Sequence, residues 1–132
     1  MKADWTPTGG SLAHLGDDSA KWTMKLEQLG AQSLEHVAQM FGAATVLRLA
    51  LGNQAGECVF TAAKSHASRD AAAQFFAGEL ARLNQVGSLV LTFDAQTLTM
   101  ANAVLKGVGV VGVEGLRWTV RYTFGITTIT NP

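Results

Sequence analysis

One helix-forming segment in a chain otherwise patterned for strands limits the possible folds more than any polar residue does. Ser68 is a good N-cap, and Asp70 puts a negative charge in the first turn, where it complements free N–H groups and the helix dipole. Ala72, Ala73, Phe76, Ala77, Leu80 and Leu83 then recur at three- and four-residue spacing, with Gln74, Glu79, Arg82 and Asn84 elsewhere. The spacing predicts a helix over about 68–85, closed by Gly87. A single helix with one apolar stripe needs a sheet to cover, which points to an α+β domain.

The rest of the chain reads mostly with a period of two. Residues 1–19 hold Pro7, Gly9, Gly10, Gly16, Asp17 and Asp18 and are expected to form an irregular N-terminal arm, with Trp5 and Leu12 as its apolar exceptions. On that reading, deleting residues 1–16 leaves a folded chain. Between 20 and 28, Trp22, Met24 and Leu26 alternate with Thr23, Lys25 and Glu27, as in a strand with one wet face. Residues 33–41 fit both a helical stripe (Leu34, Val37, Ala38, Phe41) and a strand alternation (Leu34, His36, Ala38, Met40); the strand is preferred. Two runs, 45–51 and 57–64, flank Gly52-Asn53-Gln54-Ala55-Gly56, which reads as a hairpin turn. After the helix, 88–93 and 98–105 flank Asp94-Ala95-Gln96 as a second hairpin. Leu116, Trp118, Val120, Tyr122 and Phe124 then share one strand face, opposite Arg117, Thr119, Arg121 and Thr123. The expected fold is an α+β antiparallel β-sandwich or open barrel, with one amphipathic helix (about 68–85) packed on a sheet. Residues 20–132 are expected to form a single β-rich domain behind the arm.

Composition narrows the function classes. Ten basic and ten acidic residues cancel, so no global field attracts nucleic acid or an anionic membrane. Charged residues make up only 15% of the 132 and hydrophobic ones 48%, which is lean in charge for a surface kept wholly wet and favours contact between copies. Cys58 is the only cysteine, so an intrachain disulfide is excluded and a reducing compartment is expected. No apolar run of signal-peptide or membrane-spanning length occurs, and a cytoplasmic origin is expected.

Candidate chemistry is sparse. Gly107-Val108-Gly109-Val110-Val111-Gly112 matches the dinucleotide pattern G-x-G-x-x-G, but no helix follows to offer free amides to a pyrophosphate. A bulged, closely packed strand pair or glycine-rich hairpin suits it better. His14, His36 and His66 stand apart, none with a second donor at metal-ligand spacing. Asp17-Asp18 with Glu27, or Glu57 with Asp94, are acid pairs of no specificity, and Ser65-His66 lacks a strained elbow to present a nucleophile. Cys58 reads as a small buried hydrophobe. No catalytic residue, cofactor or metal site is therefore expected. Arg48, Arg117 and Arg121 lie on the outward side of apolar strands, suited to carboxylates of a neighbouring subunit, a lumen, or plain solvent. Trp5, Trp22 and Trp118 are spread apart as core or interface anchors; an aromatic nucleic-acid platform would cluster them. The inward faces of 89–93 and 116–124 offer a different reading, a monomeric small-ligand-binding or adaptor β-barrel.

The arm Trp5-Thr6-Pro7-Thr8-Gly9-Gly10-Ser11-Leu12, the hairpin before the helix, the segment Ser68-Arg69-Asp70-Ala71-Ala72-Ala73-Gln74-Phe75-Phe76 and the following Gly87-Ser88-Leu89-Val90-Leu91-Thr92-Phe93-Asp94 occur in an order that resembles bacteriophage tail structural proteins. These are the tail-tube, tail-terminator and distal-tail or baseplate components, with their contractile-injection relatives. The resemblance implies a non-enzymatic virion protein, of phage, prophage or injection-system origin, assembled in the bacterial host cytoplasm. It implies homo-oligomeric rings or tubes, other tail or baseplate proteins as partners, and no specific nucleic-acid or membrane binding. Trp5, Leu12, Arg48, Arg117 and Arg121 are the expected subunit-interface residues. One departure from the tail-tube pattern is that no long extended loop between early strands is evident.

Overall fold

The computed structural model describes residues 1–19, 22–39 and 46–131, and for 31–39 and 46–55 the backbone alone. Its strands are β1 (Lys2–Pro7), β2 (Ala13–Asp17), β3 (Trp22–Gln39), β4 (Val46–Ser65), β5 (Val86–Thr92), β6 (Thr97–Glu114) and β7 (Arg117–Ile126), with α1 (Arg69–Leu80) between β4 and β5. All seven join one antiparallel sheet in the order β2-β1-β5-β6-β7-β4-β3. Of the two expected architectures, the single sheet matches the open barrel. It rolls until β2 and β3 meet through a side chain rather than a ladder: Asp18 Oδ1 accepts from the Met24 backbone N–H at 3.2 Å. A Cβ on Gly16 would lie 3.0 Å from both Met24 and Ala62.

The period-two pattern of β7 places Val120, Tyr122, Phe124 and Ile126 inside. There they meet Cys58 and Phe60 of β4, Leu89 and Leu91 of β5, and Met100 and Leu105 of β6. Phe60 stacks on Tyr122 at 5.3 Å between ring centroids, and Trp5 meets Phe124 edge-on at 5.4 Å.

That last contact corrects the irregular arm. Residues 2–7 and 13–17 are strands, with β1 pairing β5 from Lys2↔Thr92 to Pro7↔Gly87. Ala3, Trp5 and Leu15 are fully buried, because period-two alternation sends them inward while Lys2 and Asp4 face out. The glycines that suggested irregularity sit in the connecting turn, where Gly9 takes φ +78°, and at Gly16 near the end of β2.

A second correction concerns Gly52–Gly56. β4 runs through this segment without turning: Asn53 pairs Ser33 and Gln54 pairs Gln32. β4 joins β7 only from Gly56↔Ile126 to Ser65↔Arg117, so before Gly56 its ladder partner among the described residues is β3 alone. The result is a two-stranded ribbon extending beyond the sheet, the early-strand extension that the sequence did not disclose. The segment 33–41 is strand as far as Gln39; its last two residues lie outside those described. The β5–β6 hairpin turns at Asp94–Gln96 as expected, and β6 continues through Gly107–Gly112 as a strand with bulges at Leu105/Gly107 and Val110/Gly112.

The helix starts where its cap dictates, with Ser68 Oγ accepting from the Ala71 N–H at 3.1 Å. It ends earlier than expected, at Leu80, with Ala81 as C-cap and Asn84 in the left-handed region at φ 67°. Gly87 belongs to β5. Its phase is also rotated: Ala72 and Glu79 are buried and Phe75 and Leu83 pack on the core, while Ala73, Ala77 and Leu80 are exposed. A weakly apolar helix takes its facing side from what the sheet offers, here the aromatic group around Phe75. The Phe75 ring lies 6.1 Å from that of Trp22 and 5.3 Å from that of His66, with Lys64 Nζ 5.1 Å from its centroid.

Candidate assembly surfaces

Alternation along β7 puts Arg117, Thr119, Arg121 and Thr123 on the outer face, and the register sets what each meets. Arg121 lies opposite Thr61 of β4, and β3 lies beyond it. The guanidinium spans β4 and forks onto Glu27, with Nε to Oε2 at 2.8 Å and Nη2 to Oε1 at 3.1 Å. The hydrogen bond from Arg121 holds the Glu27 carboxyl below its ordinary range. Arg117 likewise reaches across Ser65, donating to its Oγ at 3.3 Å and to Thr23 Oγ1. Lys106 crosses β7 over Gly125, where an added Cβ would sit 2.8 Å from its Cδ, and its Nζ bonds Glu57 Oε1 at 3.1 Å. The stripe is thus a row of cations laid flat across the sheet. Arg121 and Lys106 are already matched by carboxylates of the same chain.

The remaining expected interface residues separate. Leu12, in the β1–β2 turn, is 62% exposed, whereas Trp5 is fully enclosed within the chain and has no surface to offer a partner. The Arg48 backbone lies in β4 opposite Val37, and its side chain is outside the described residues. Sequence reading missed an apolar group at the β6–β7 turn: Val111, Val113 and Leu116 are 47%, 56% and 41% exposed. Alternation in the sequence groups Leu116 with the core face of β7, but it belongs to the turn that precedes the strand. The signal available was Glu114-Gly115, a turn pair in which Gly115 takes φ +61°.

Several of the candidate reactive groups take structural partners. His14 lies between Asp4 Oδ1 at 2.7 Å and Asp17 Oδ2 at 3.0 Å, a part-buried bridge from β1 to the end of β2. Asp18 takes the Met1 ammonium at 2.9 Å, which with the Met24 N–H lowers its pKa. Ser65 Oγ accepts from Arg117 and Glu57 pairs with Lys106, so neither is set up as nucleophile or base. Cys58 is fully buried, and burial pushes its thiol up to about 12. Desolvation and Lys64 lower His66. The His36 side chain lies outside the described residues. Among the described residues no three His, Cys, Asp or Glu side chains group as a metal site. The inward positions proposed for a ligand pocket are packed against Trp5, Phe60 and one another.

By sequence the chain matches no family model and no curated protein. By structure it is similar to a chain of the anti-feeding prophage (AFP) baseplate, solved by cryo-EM with 6-fold symmetrisation. The TM-score is 0.63 at 11% identity, over 99% of this chain and 91% of that one. Weaker matches, each with a TM-score of 0.45, are to the sheath-tube complex of the extracellular contractile injection system PVC in its extended state, at 12% identity, and to the AFP tube-terminating cap, at 13%. They cover 99% and 98% of this chain, and 88% and 87% of the others. The fold is therefore one that also occurs in the AFP baseplate. No helix of the described residues is long and apolar enough to cross a membrane.

Proposed function

We propose that this chain is a non-enzymatic structural protein of a phage tail, baseplate or contractile injection particle, which assembles with copies of itself into rings or tubes and contacts other tail proteins. The observation that carries the reading is the end-to-end match to an AFP baseplate chain, 99% of this chain against 91% of that one. Three features support it on physical grounds. A two-stranded ribbon standing beyond its sheet is marginal alone and presents unpaired edges, so it gains most from a neighbour. Apolar side chains at Val111, Val113, Leu116 and Leu12 lie at two separate turns, as a head-to-tail ring contact requires. On the outer face Arg121 and Lys106 are matched by Glu27 and Glu57 within the chain, which leaves the Arg117 guanidinium, held among the described residues only by the hydroxyls of Ser65 and Thr23, to meet a carboxylate of a neighbouring subunit.

The test is light scattering over a concentration series with electron microscopy of the same sample. Rings, tubes or one defined oligomer support the reading, and Val111→Asp with Val113→Asp then shifts the equilibrium toward monomer. A strict monomer at high concentration overturns self-assembly.

A further inference from the structure

Helix α1 docks through an unusual residue. Glu79 is 4% exposed on the side of α1 that faces the sheet, and its Oε2 has no hydrogen-bond partner. Beneath it is Tyr122 of β7, fully buried, whose hydroxyl also lacks a partner at bonding distance. The groups acting on the carboxyl are this hydroxyl, Lys64 of β4 and Arg82 just after the helix. Lys64 is committed elsewhere, its Nζ 4.9 Å from the Trp22 ring centroid and 5.1 Å from that of Phe75. A carboxylate buried without a matched partner is costly, and here it also lies in the last turn, at the negative end of the helix dipole. The same site accepts a neutral carboxyl much more readily.

We propose that α1 is a proton-governed lid on the barrel: it docks with the Glu79 carboxyl neutral, and rising pH releases it from the sheet while the sheet stays folded. The seating is slight enough for this, since Ala72 is the one fully buried apolar residue of the helix and Phe75 and the flanking Leu83 pack on the core only in part, with Ala73, Ala77 and Leu80 turned to solvent. Burial raises Glu79 above its ordinary value of 4.5, against smaller opposing effects of Arg82, Tyr122 and Lys64. The docked form thus holds a proton that the open form gives up. Docking is strongest below the ordinary value and weakens as pH rises toward the raised one. One proton lost per opening makes the opening constant rise by up to about tenfold per pH unit across that window.

Hydrogen exchange by mass spectrometry, from pH 4.5 to 8.5 and corrected for intrinsic rates, tests this on the full chain. Protection factors in α1 are expected to lie well below those of β7 and to fall as pH rises by up to about tenfold per unit. Glu79→Gln is expected to raise them and remove the slope, and Glu79→Met provides the same test should the amide variant fold poorly. Equal protection in α1 and β7 at every pH would mean that the helix leaves only on global unfolding. A slope unchanged in both variants would place the titration elsewhere. Either result overturns the lid.

Discussion

Gly87→Ala isolates the contact that ties the N-terminal strands to the rest of the sheet. A Cβ at this position would lie 2.3 Å from the Thr6 carbonyl oxygen, 2.6 Å from Pro7 Cα and 2.8 Å from the Thr6 carbonyl carbon. All three are backbone, so no side chain can swing aside, and β1 has to move away from β5 by about 1 Å to restore ordinary contact distances of 3.4–4 Å. That motion carries Trp5, which pairs with Leu89 and packs on Phe124, out of the position it fills. Overpacking of this kind costs about 1–3 kcal/mol, and partial unseating of a buried tryptophan puts the total at the upper end, about 3 kcal/mol. For 132 residues the unfolding entropy near 60 °C is about 280 cal/mol/K, so the melting temperature is expected to fall by about 11 °C. Gly109→Ala is the internal control, because an added Cβ there meets nothing within 4 Å. It exchanges a glycine for a residue with less backbone entropy to lose, and melting is expected to stay level or rise by up to about 1 kcal/mol equivalent. Both are measured by calorimetry on one concentration-matched series. Melting of Gly87→Ala within about 3 °C of the parent would refute the argument, since it would mean that β1 is not held against β5 at van der Waals distance.

Deleting residues 1–16 removes β1 and most of β2 together with Trp5 and Leu15, and the cooperative urea transition is expected to disappear; a truncated chain that unfolds cooperatively would restore the dispensable arm. Asp18 is held below its ordinary value of 3.8 by the Met1 ammonium and the Met24 N–H, so the stability it supplies is complete above that value and is lost as pH falls through the lowered one. Asp18→Asn is therefore expected to melt below the parent at pH 6 and to converge with it in strong acid, as followed by circular dichroism. Cys58 is expected to resist a thiol reagent at pH 8 in the native state and to react at once in denaturant, because its buried thiol is pushed up to about 12. Labelling at the native rate of an exposed cysteine would place the residue outside the core.

Much of the sheet was legible because a strand's two faces are set by neighbours two residues away. The alternation of Val120, Tyr122 and Phe124 with Arg121 and Thr123 is enough to assign inside and outside once one side is buried. The β5–β6 turn at Asp94–Gln96 and the Ser68 cap follow from equally local chemistry, whereas Gly107–Gly112 suited a glycine-rich hairpin or a bulged strand, and pairing with β7 selects the strand. The assembly surfaces were less legible. Arg117 and Arg121 were found on the outer face, but their partners were not, since Thr23 and Glu27 lie 94 residues earlier in the chain and arrive only through the β3–β4–β7 register.

What the amino-acid sequence determines here, then, is the set of elements whose signals are local: period-two strands, a capped helix start and an α+β composition with one helix. Tertiary structure decides the questions on which two local answers are nearly equal in energy. Gly52–Gly56 suits a turn or a strand, and pairing with residues 32–33 selects the strand. The first nineteen residues suit an arm or a hairpin, and the space beside β5 that Trp5 fills selects the hairpin. A helix rich in alanine has no strongly preferred face, and the ring group of Trp22, Phe75 and His66 turns Glu79 inward and Leu80 out. In each case the deciding free energy is burial against residues distant in sequence, and it exists only once the sheet has closed.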